Sequence, residues 1–398
     1  MSATLTFHKV KESLISCEEL LELETNKQQL HIGVPAETDS YEYRIALTPE
    51  TVDILVRNGH IVKIEKQAGA GSKFSDVQYS NAGAYIVERS EVFRADVLFK
   101  INPPTISEID MMKERQLIFS FLPVIQISGT HLRKLSGKNI TAIALDHIKD
   151  KSGGYPLLKI LGEIAGTVAV QVASEYLSIS SGGRGVLLGG ITGVNPAEVV
   201  VIGSGSAAEF AIRSALGLGA CVRVFDNMVQ NLQLLQDKMG IRLNTSVIHP
   251  RALANADAVI GAAYIDGYQY QYVINEEMVM QMKKGSVIVD LSINQGGCCE
   301  TSEMRTFASP TVIKHGVLHY CVPNITARVP QTASTAISNI LANITQSMEQ
   351  HKNIAIWFHT DPCIRNGVYM YNGILTSSYL GNLFNMPFQD IHLLMAAF

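Results

Sequence analysis

Gly203-Ser204-Gly205-Ser206-Ala207-Ala208 is a G-x-G-x-x-A turn, and Asp226 follows it at roughly the interval at which an acid meets a ribose. Gly203 permits a tight turn, Gly205 lets the backbone approach a pyrophosphate, and Ala208 allows close helix–strand packing. A helix beginning at Ser206 would aim its unpaired N–H groups at those phosphates. Asp226 would accept from both ribose hydroxyls and repel a 2′-phosphate, and no arginine follows it in Asn227-Met228-Val229-Gln230. The chemistry is dinucleotide binding, with NAD favoured over NADP.

The elements needed to position those residues are present. Val199–Ile202 is a β-branched run that reads as a buried parallel strand. Ala207, Ala208, Phe210, Ala211, Ala215 and Leu216 mark a helix stopped by Gly217 and Gly219, and Cys221–Phe225 is the next strand. Further strands are predicted at His31–Pro35, Ile61–Glu65, Asp96–Ile101, Leu117–Phe121, Ala142–Leu145, Val259–Ala263, Gly285–Asp290 and His319–Pro323. Thr48-Pro49 opens a helix that Gly59 ends, Leu157–Tyr176 reads as a long linking helix, and Thr332–Met348 as another. AGAGS (Ala68–Ser72) lacks a following Lys-Ser/Thr and is not a nucleotide P-loop. This βαβ rhythm predicts an α/β protein of two doubly wound domains. The expected plan is a helical extension over 1–30, a substrate domain from 31–156 and 331–398, and a Rossmann NAD-binding domain inserted over 157–330.

Composition limits the partners. An apolar content of 47% with 17% charge describes a compact globular chain, and its 398 residues suffice for two domains. The net charge of −4, with no basic run, argues against nucleic acid. Cys17, Cys221, Cys298, Cys299, Cys321 and Cys363 have no regular spacing and read as reduced thiols, which with the acidic N-terminal stretch predicts a cytoplasmic protein. No segment is expected to span a membrane.

Several blocks in order resemble the alanine dehydrogenase family, related to the α-subunit of nicotinamide nucleotide transhydrogenase. They are IGVPAETDSYEYRIALTPETV (Ile32–Val52), GHIVKIEKQAGAGSKFSDVQYSNAGA (Gly59–Ala84), GGRGVLLGGITGVNPAEVVVIGSG (Gly182–Gly205) and IVDLSINQGGCCETSE (Ile288–Glu303). The resemblance implies NAD-dependent conversion of L-alanine and water to pyruvate and ammonia, in a homo-oligomer, usually a hexamer. On the cofactor side it places phosphate contacts at Ser206 and Ala207, the ribose acid at Asp226, and nicotinamide-side loops at Ala263-Tyr264, Leu291–Asn294 and Val322–Ile325, including Asn324. A serine of the family falls on Gly162. On the substrate side it places the carboxylate-pairing arginine at Arg44. The family's substrate lysine falls on Asn102, its catalytic histidine on Pro123 and its catalytic aspartate on Asn294.

Those changes matter chemically. Oxidative deamination needs a group that trades protons near the working pH, and neither proline nor asparagine titrates there. Hydride transfer needs mainly alignment. Lys100 shares a strand face with Asn102 by period-two alternation and lies roughly 7 Å along the strand, so it is a candidate substitute beside Arg44, Asn102 and Asn294. His147, His315 and His319 are further candidate acid/bases, although each also reads as a structural histidine. The i,i+4 pair His315/His319 straddles a turn and a strand, which disfavours a metal pair. Cys298-Cys299 reads as packing, and Asp146 and Glu163 as caps or ion-pair partners. Three readings follow: an alanine-dehydrogenase-type enzyme on an amino or oxo acid, a dinucleotide-binding relative without turnover, and an NAD oxidoreductase for an opine or hydroxy acid. Joint loss of lysine, histidine and aspartate is the expected pattern of a site re-purposed as a unit.

Overall fold

The structure is a computed structural model that describes residues 29–240, 248, 250–263, 273–351 and 353–396. The expected helical extension over 1–30, with Cys17, falls almost wholly outside the described residues, as do Tyr264 and the loop Ile265–Tyr270.

Two sheets organise the chain. The first has eight strands in the order β14-β13-β6-β5-β4-β1-β2-β3. Its parallel part is β1 (His31–Val34), β2 (Ile61–Glu65), β3 (Tyr85–Val87), β4 (Val97–Phe99), β5 (Leu117–Ser120) and β6 (Thr141–Ala144). The second has six strands in the order β11-β12-β10-β9-β7-β8. Its members are β7 (Glu198–Ile202), β8 (Cys221–Phe225), β9 (Ala258–Gly261), β10 (Val287–Asp290), β11 (Thr311–Lys314) and β12 (Val317–Tyr320). The chain then returns to the first sheet as β13 (Val368–Tyr371) and β14 (Ile374–Leu375), with β13 antiparallel to β6. Both sheets are therefore parallel-dominated and doubly wound, as predicted. The strand order reverses between β1 and β4 in the first and between β7 and β9 in the second. Ligands of such sheets bind outside the strands' carboxyl ends at these reversals.

Parallel strands buried on both faces need apolar side chains at consecutive positions. Val199 and Val201 pack into one core of the second sheet, Val200 and Ile202 into the other. In the first sheet Val97, Phe99 and Ile101 share one core while Leu98 lies in the opposite one. The edge hairpin β11–β12 was not anticipated; its turn uses His315 (φ 52°) and Gly316 (φ 81°). His319 lies inside β12, so the last strand begins earlier than the His319–Pro323 read from the sequence.

The helix Pro156–Tyr176 joins the two sheets. One face is glycine because another helix, Ser206–Gly217, lies against it. A Cβ on Gly166 would stand 2.0 Å from the Ala207 carbonyl oxygen, and one on Gly162 would stand 3.2 Å from the Ala207 nitrogen. Backbone meets backbone, and the linking helix thereby fixes the first turn of the helix after β7. Contrary to the sequence expectation, this helix is long and apolar enough to cross a membrane by length and composition, with a mean hydropathy of 1.4. Val168, Ala169, Val170, Val172 and Ala173 are buried in the core of the second sheet, the other cause of an apolar helix.

Candidate functional site

At the β7 reversal, Gly203 has φ +110°, and a Cβ there would stand 2.4 Å from the Ala262 carbonyl oxygen. Glycine is required twice over, by conformation and by the close approach of the segment after β9. Gly205 differs: a Cβ would meet nothing within 4 Å. Its side faces open space, where a phosphate can come close. Ser206 and Ala207 form the first turn of the helix, and Ala208 is fully buried against the sheet. Asp226 follows β8, where its carboxylate accepts from the Ser204 hydroxyl at 2.6 Å and the Met228 N–H at 2.7 Å. The turn and the acid are thus physically joined, and these residues fit a dinucleotide.

The loops after β9, β10 and β12 flank that turn. Ala263 lies beyond β9, and its carbonyl accepts from the Ser292 hydroxyl at 2.6 Å. Leu291 is half-buried, and Asn294 sits exposed in a short 3-10 turn, Ile293–Gln295. Val322 is buried beyond β12. Asn324 reaches across to the first sheet, donating its Nδ2 to Glu42 at 2.6 Å.

Glu42 and Arg44 make the other half of this crossing. Arg44 follows β1 at the first sheet's reversal and is only 7% exposed. Its Nε and Nη2 each donate to the Glu42 carboxylate at 2.7 Å, and its Nη1 donates to the Thr326 hydroxyl at 3.0 Å. Thr326 in turn donates to the Asn324 side-chain oxygen at 3.1 Å. Ile45 N–H donates to Ser334 at 2.9 Å, and Thr48 N–H to Ser338 at 2.9 Å, which seats the segment on the helix Pro330–Glu349. Glu42 and Thr326 were not singled out in the sequence. The i,i+2 spacing of Glu42 and Arg44, which places both on one side of an extended chain, is the signal that could have found the first of them.

Lys100 does not reach a cleft. Its ammonium is fully buried, 3.0 Å from Glu108 and 3.2 Å from Glu37. Glu108 also pairs with Arg89, and Glu37 accepts from the Ile101 N–H at 2.7 Å and the Asn102 N–H at 3.3 Å. The physical reason is that the helix Ile106–Met111 covers this strand face and supplies a carboxylate. Burial raises the Glu37 carboxyl above its ordinary range, against the pull of Lys100. Asn102 is half-buried beside this cluster, and Pro123 leads a short 3-10 turn after β5.

Of the three candidate histidines, His319 and His315 are committed elsewhere. His319 is fully buried, accepts at Nε2 from Thr301 at 2.8 Å and donates from Nδ1 to the Val317 carbonyl at 3.0 Å. Burial pulls its pKa down to about 4, so it stays neutral. His315 pairs with Glu276 at 2.6 Å on the surface. His147 is exposed after β6, beside Asp146, whose carboxylate accepts from the Leu122 N–H at 3.1 Å. Cys298 and Cys299 are buried thiols, and burial raises Cys298 well above its ordinary range.

Two doubly wound sheets, a glycine turn with its acid, and polar bridges between the ends of the sheets define a nucleotide-binding protein of the two-domain oxidoreductase class. Residues 33–165 match the model for the alanine dehydrogenase/PNT N-terminal domain, and residues 169–378 match that for the C-terminal domain. The chain belongs to the alanine dehydrogenase/PNT family. It is 36% identical over 368 residues to alanine dehydrogenase 2 of Staphylococcus aureus (strain USA300), covering 91% of this chain and 98% of that one. A solved L-alanine dehydrogenase superposes with a TM-score of 0.83 at 34% identity, covering 89% of this chain and 99% of that one. The transhydrogenase of Sinorhizobium meliloti shares the fold, with a TM-score of 0.76 at 24% identity over 87% and 99% of the two chains.

Proposed function

We propose that the protein is an NAD-dependent oxidoreductase of the alanine-dehydrogenase type, acting on a small amino or oxo acid, with L-alanine as the first substrate to test. The observation that carries this reading is the joining of Arg44 to Thr326, and of Asn324 to Glu42, which brings the carboxyl ends of both sheets to one cleft. Arg44 commits three of a guanidinium's five N–H donors to Glu42 and Thr326. The remaining donors suit a substrate carboxylate, for which a planar fork is well shaped. Gly203, Gly205 and Asp226 hold the dinucleotide, and Asp226 disfavours a 2′-phosphate. NAD, when bound, supplies the hydride acceptor. Ala263, Leu291, Val322 and Asn324 bound the space where its reactive ring meets the substrate, and the neighbouring Tyr264 belongs to the same proposed set.

A second reading has its own observation. Asn102, Pro123 and Asn294 stand where the resemblance puts lysine, histidine and aspartate, and the buried ion pairs of Lys100 remove the nearest substitute. A relative that binds NAD without turnover has that pattern. NADH formation with saturating L-alanine and NAD, beside calorimetry with NAD and NADP, decides between them. We expect NAD to bind at least tenfold more tightly than NADP and NADH to form. Tight NAD binding without turnover on a panel of amino, oxo and hydroxy acids overturns the enzyme reading. A homo-oligomer in the cytoplasm, with six copies as the family implies, completes the proposal.

A further inference from the structure

Asp290 ends β10 with its carboxylate 1% exposed, beneath the loop that carries Asn294. Buried carboxylates are costly unless donors surround them, and here the donors come from both ends of that loop. At the start, the Ser292 N–H donates to Oδ1 at 3.0 Å. At the far end, the Cys298 N–H donates to Oδ2 at 3.0 Å and to Oδ1 at 3.3 Å, and the Ser302 hydroxyl donates to Oδ2 at 2.7 Å. One side chain thus closes the segment 291–298 on itself.

Two glycines leave room for this arrangement. Gly297 has φ +87°, and a Cβ there would stand 3.0 Å from Asp290 Oδ2; a Cβ on Gly261 would stand 2.1 Å from Cys298 Sγ. The closed loop then reaches sideways. Ser292 donates to the Ala263 carbonyl at 2.6 Å, and Ala262, the preceding residue, packs on Gly203. The loop closed on Asp290 therefore leans on the segment after β9, while Gly205, with open space at its side, and Asp226, bonded to Ser204 and Met228, take no part in these contacts. All the donors to Asp290 named here are N–H or O–H groups, an arrangement that an ionised carboxylate satisfies and an amide does not.

We propose that Asp290 is a positioning residue for the nicotinamide half of the cofactor, holding the loop 291–298 in the shape that meets the ring while the adenosine half is held independently by Gly205 and Asp226. This rests on the NAD-binding reading above. Asp290 touches no ligand; it acts through Ser292, Cys298 and the loop they bracket.

The test compares two ligands on the full-length protein: NADH, followed by its fluorescence, and ADP-ribose, which lacks the nicotinamide, followed by calorimetry. Asp290→Asn keeps the size but turns an acceptor into a donor facing N–H and O–H groups. It should weaken NADH by about tenfold or more and leave ADP-ribose within about twofold. Ser302→Ala, which removes one donor and spares the carboxylate, should give the same selectivity with a smaller loss, and it answers the question if Asp290→Asn does not fold. Equal weakening of both ligands by Ser302→Ala, or by a folded Asp290→Asn, means a merely structural acid and overturns the proposal, as does no change in either. A wild type that binds ADP-ribose as tightly as NADH also overturns it while leaving the dinucleotide site standing. A wild type that binds neither ligand overturns the cofactor reading itself, and this inference with it.

Discussion

Replacing Glu42 by alanine tests whether the Arg44 latch is a buried ion pair or a decorative one. Glu42 accepts from the Arg44 backbone at 3.1 Å, from Arg44 Nε and Nη2 at 2.7 Å each, and from Asn324 at 2.6 Å. Its removal leaves a guanidinium that is 7% exposed with Thr326 as its remaining partner in this set. Breaking a buried pair by deleting one member costs about 3–5 kcal/mol, because the other charge stays desolvated. The pair Arg57–Asp53 provides the contrast, since its side chains are 77% and 37% exposed; Asp53→Ala should cost about 0–1 kcal/mol. Replacing both Glu42 and Arg44, the latter by methionine, removes the stranded charge and should restore about 2 kcal/mol or more relative to the sum of the single changes. Urea unfolding followed by Trp357 fluorescence reads this directly, because the chain's single tryptophan is fully buried in the first sheet's core. A Glu42→Ala cost within about 1 kcal/mol of Asp53→Ala, or strict additivity in the double variant, would refute the reasoning.

Two other outcomes follow from packing and protonation. Gly166→Ala drives a methyl into the Ala207 carbonyl at 2.0 Å, so it should cost about 3 kcal/mol or more and weaken NAD binding by displacing the first turn of its helix; Gly217→Ala, with nothing within 4 Å, should be neutral or slightly stabilising. Thermal unfolding and NAD calorimetry on both variants check this, and equal effects would defeat it. His319 and His131 are both held neutral by burial, each at about 4. Their folded pKa lies below the unfolded value of about 6.5, so their contribution is complete above that value and is lost as pH falls toward 4. His319→Gln should therefore flatten the fall in stability near pH 5 by about 1 kcal/mol per pH unit, measured by urea midpoints from pH 4 to 7; an unchanged slope counts against it.

Legibility in the sequence tracked the range of the forces involved. The turn from Gly203 to Ala208 and the acid Asp226 could be read because every requirement is local: a positive φ, an open approach, a small residue under a helix, and a short distance along the chain. Arg44 was visible through its block, but its fate depends on Thr326, which is 282 residues away, and no pattern in one segment reveals that. Lys100 shows the limit more sharply. Period-two alternation assigns it a strand face but says nothing of what covers that face, and the cover turned out to carry Glu108. His319 was similarly opaque, since a histidine in a strand becomes unable to accept a proton only when its surroundings are known. The edge hairpin β11–β12 escaped because its strands are four residues each and its turn begins with histidine rather than asparagine or aspartate.

The distribution of charge separates binding from proton transfer in this protein. On the cofactor side, the polar groups of the turn and the loops are tied to one another: Asp226 to Ser204, Ser292 to Ala263, Asp290 to the loop above it. Such mutual ties preorganise a surface for a ligand without needing any group to change its protonation. On the substrate side, two cations at the first sheet's reversal are matched by carboxylates, Arg44 by Glu42 and Lys100 by Glu37 and Glu108. What remains at 102, 123 and 294 is two amides and a proline ring. On the proposed reading, a cleft built this way recognises a carboxylate through the spare donors of Arg44 and aligns a hydride donor with its acceptor. A proton that must leave the substrate's nitrogen or the attacking water finds no acceptor at those three positions, and solvent is one route open to it. Turnover by that route would depend on water reaching the cleft, and binding would not.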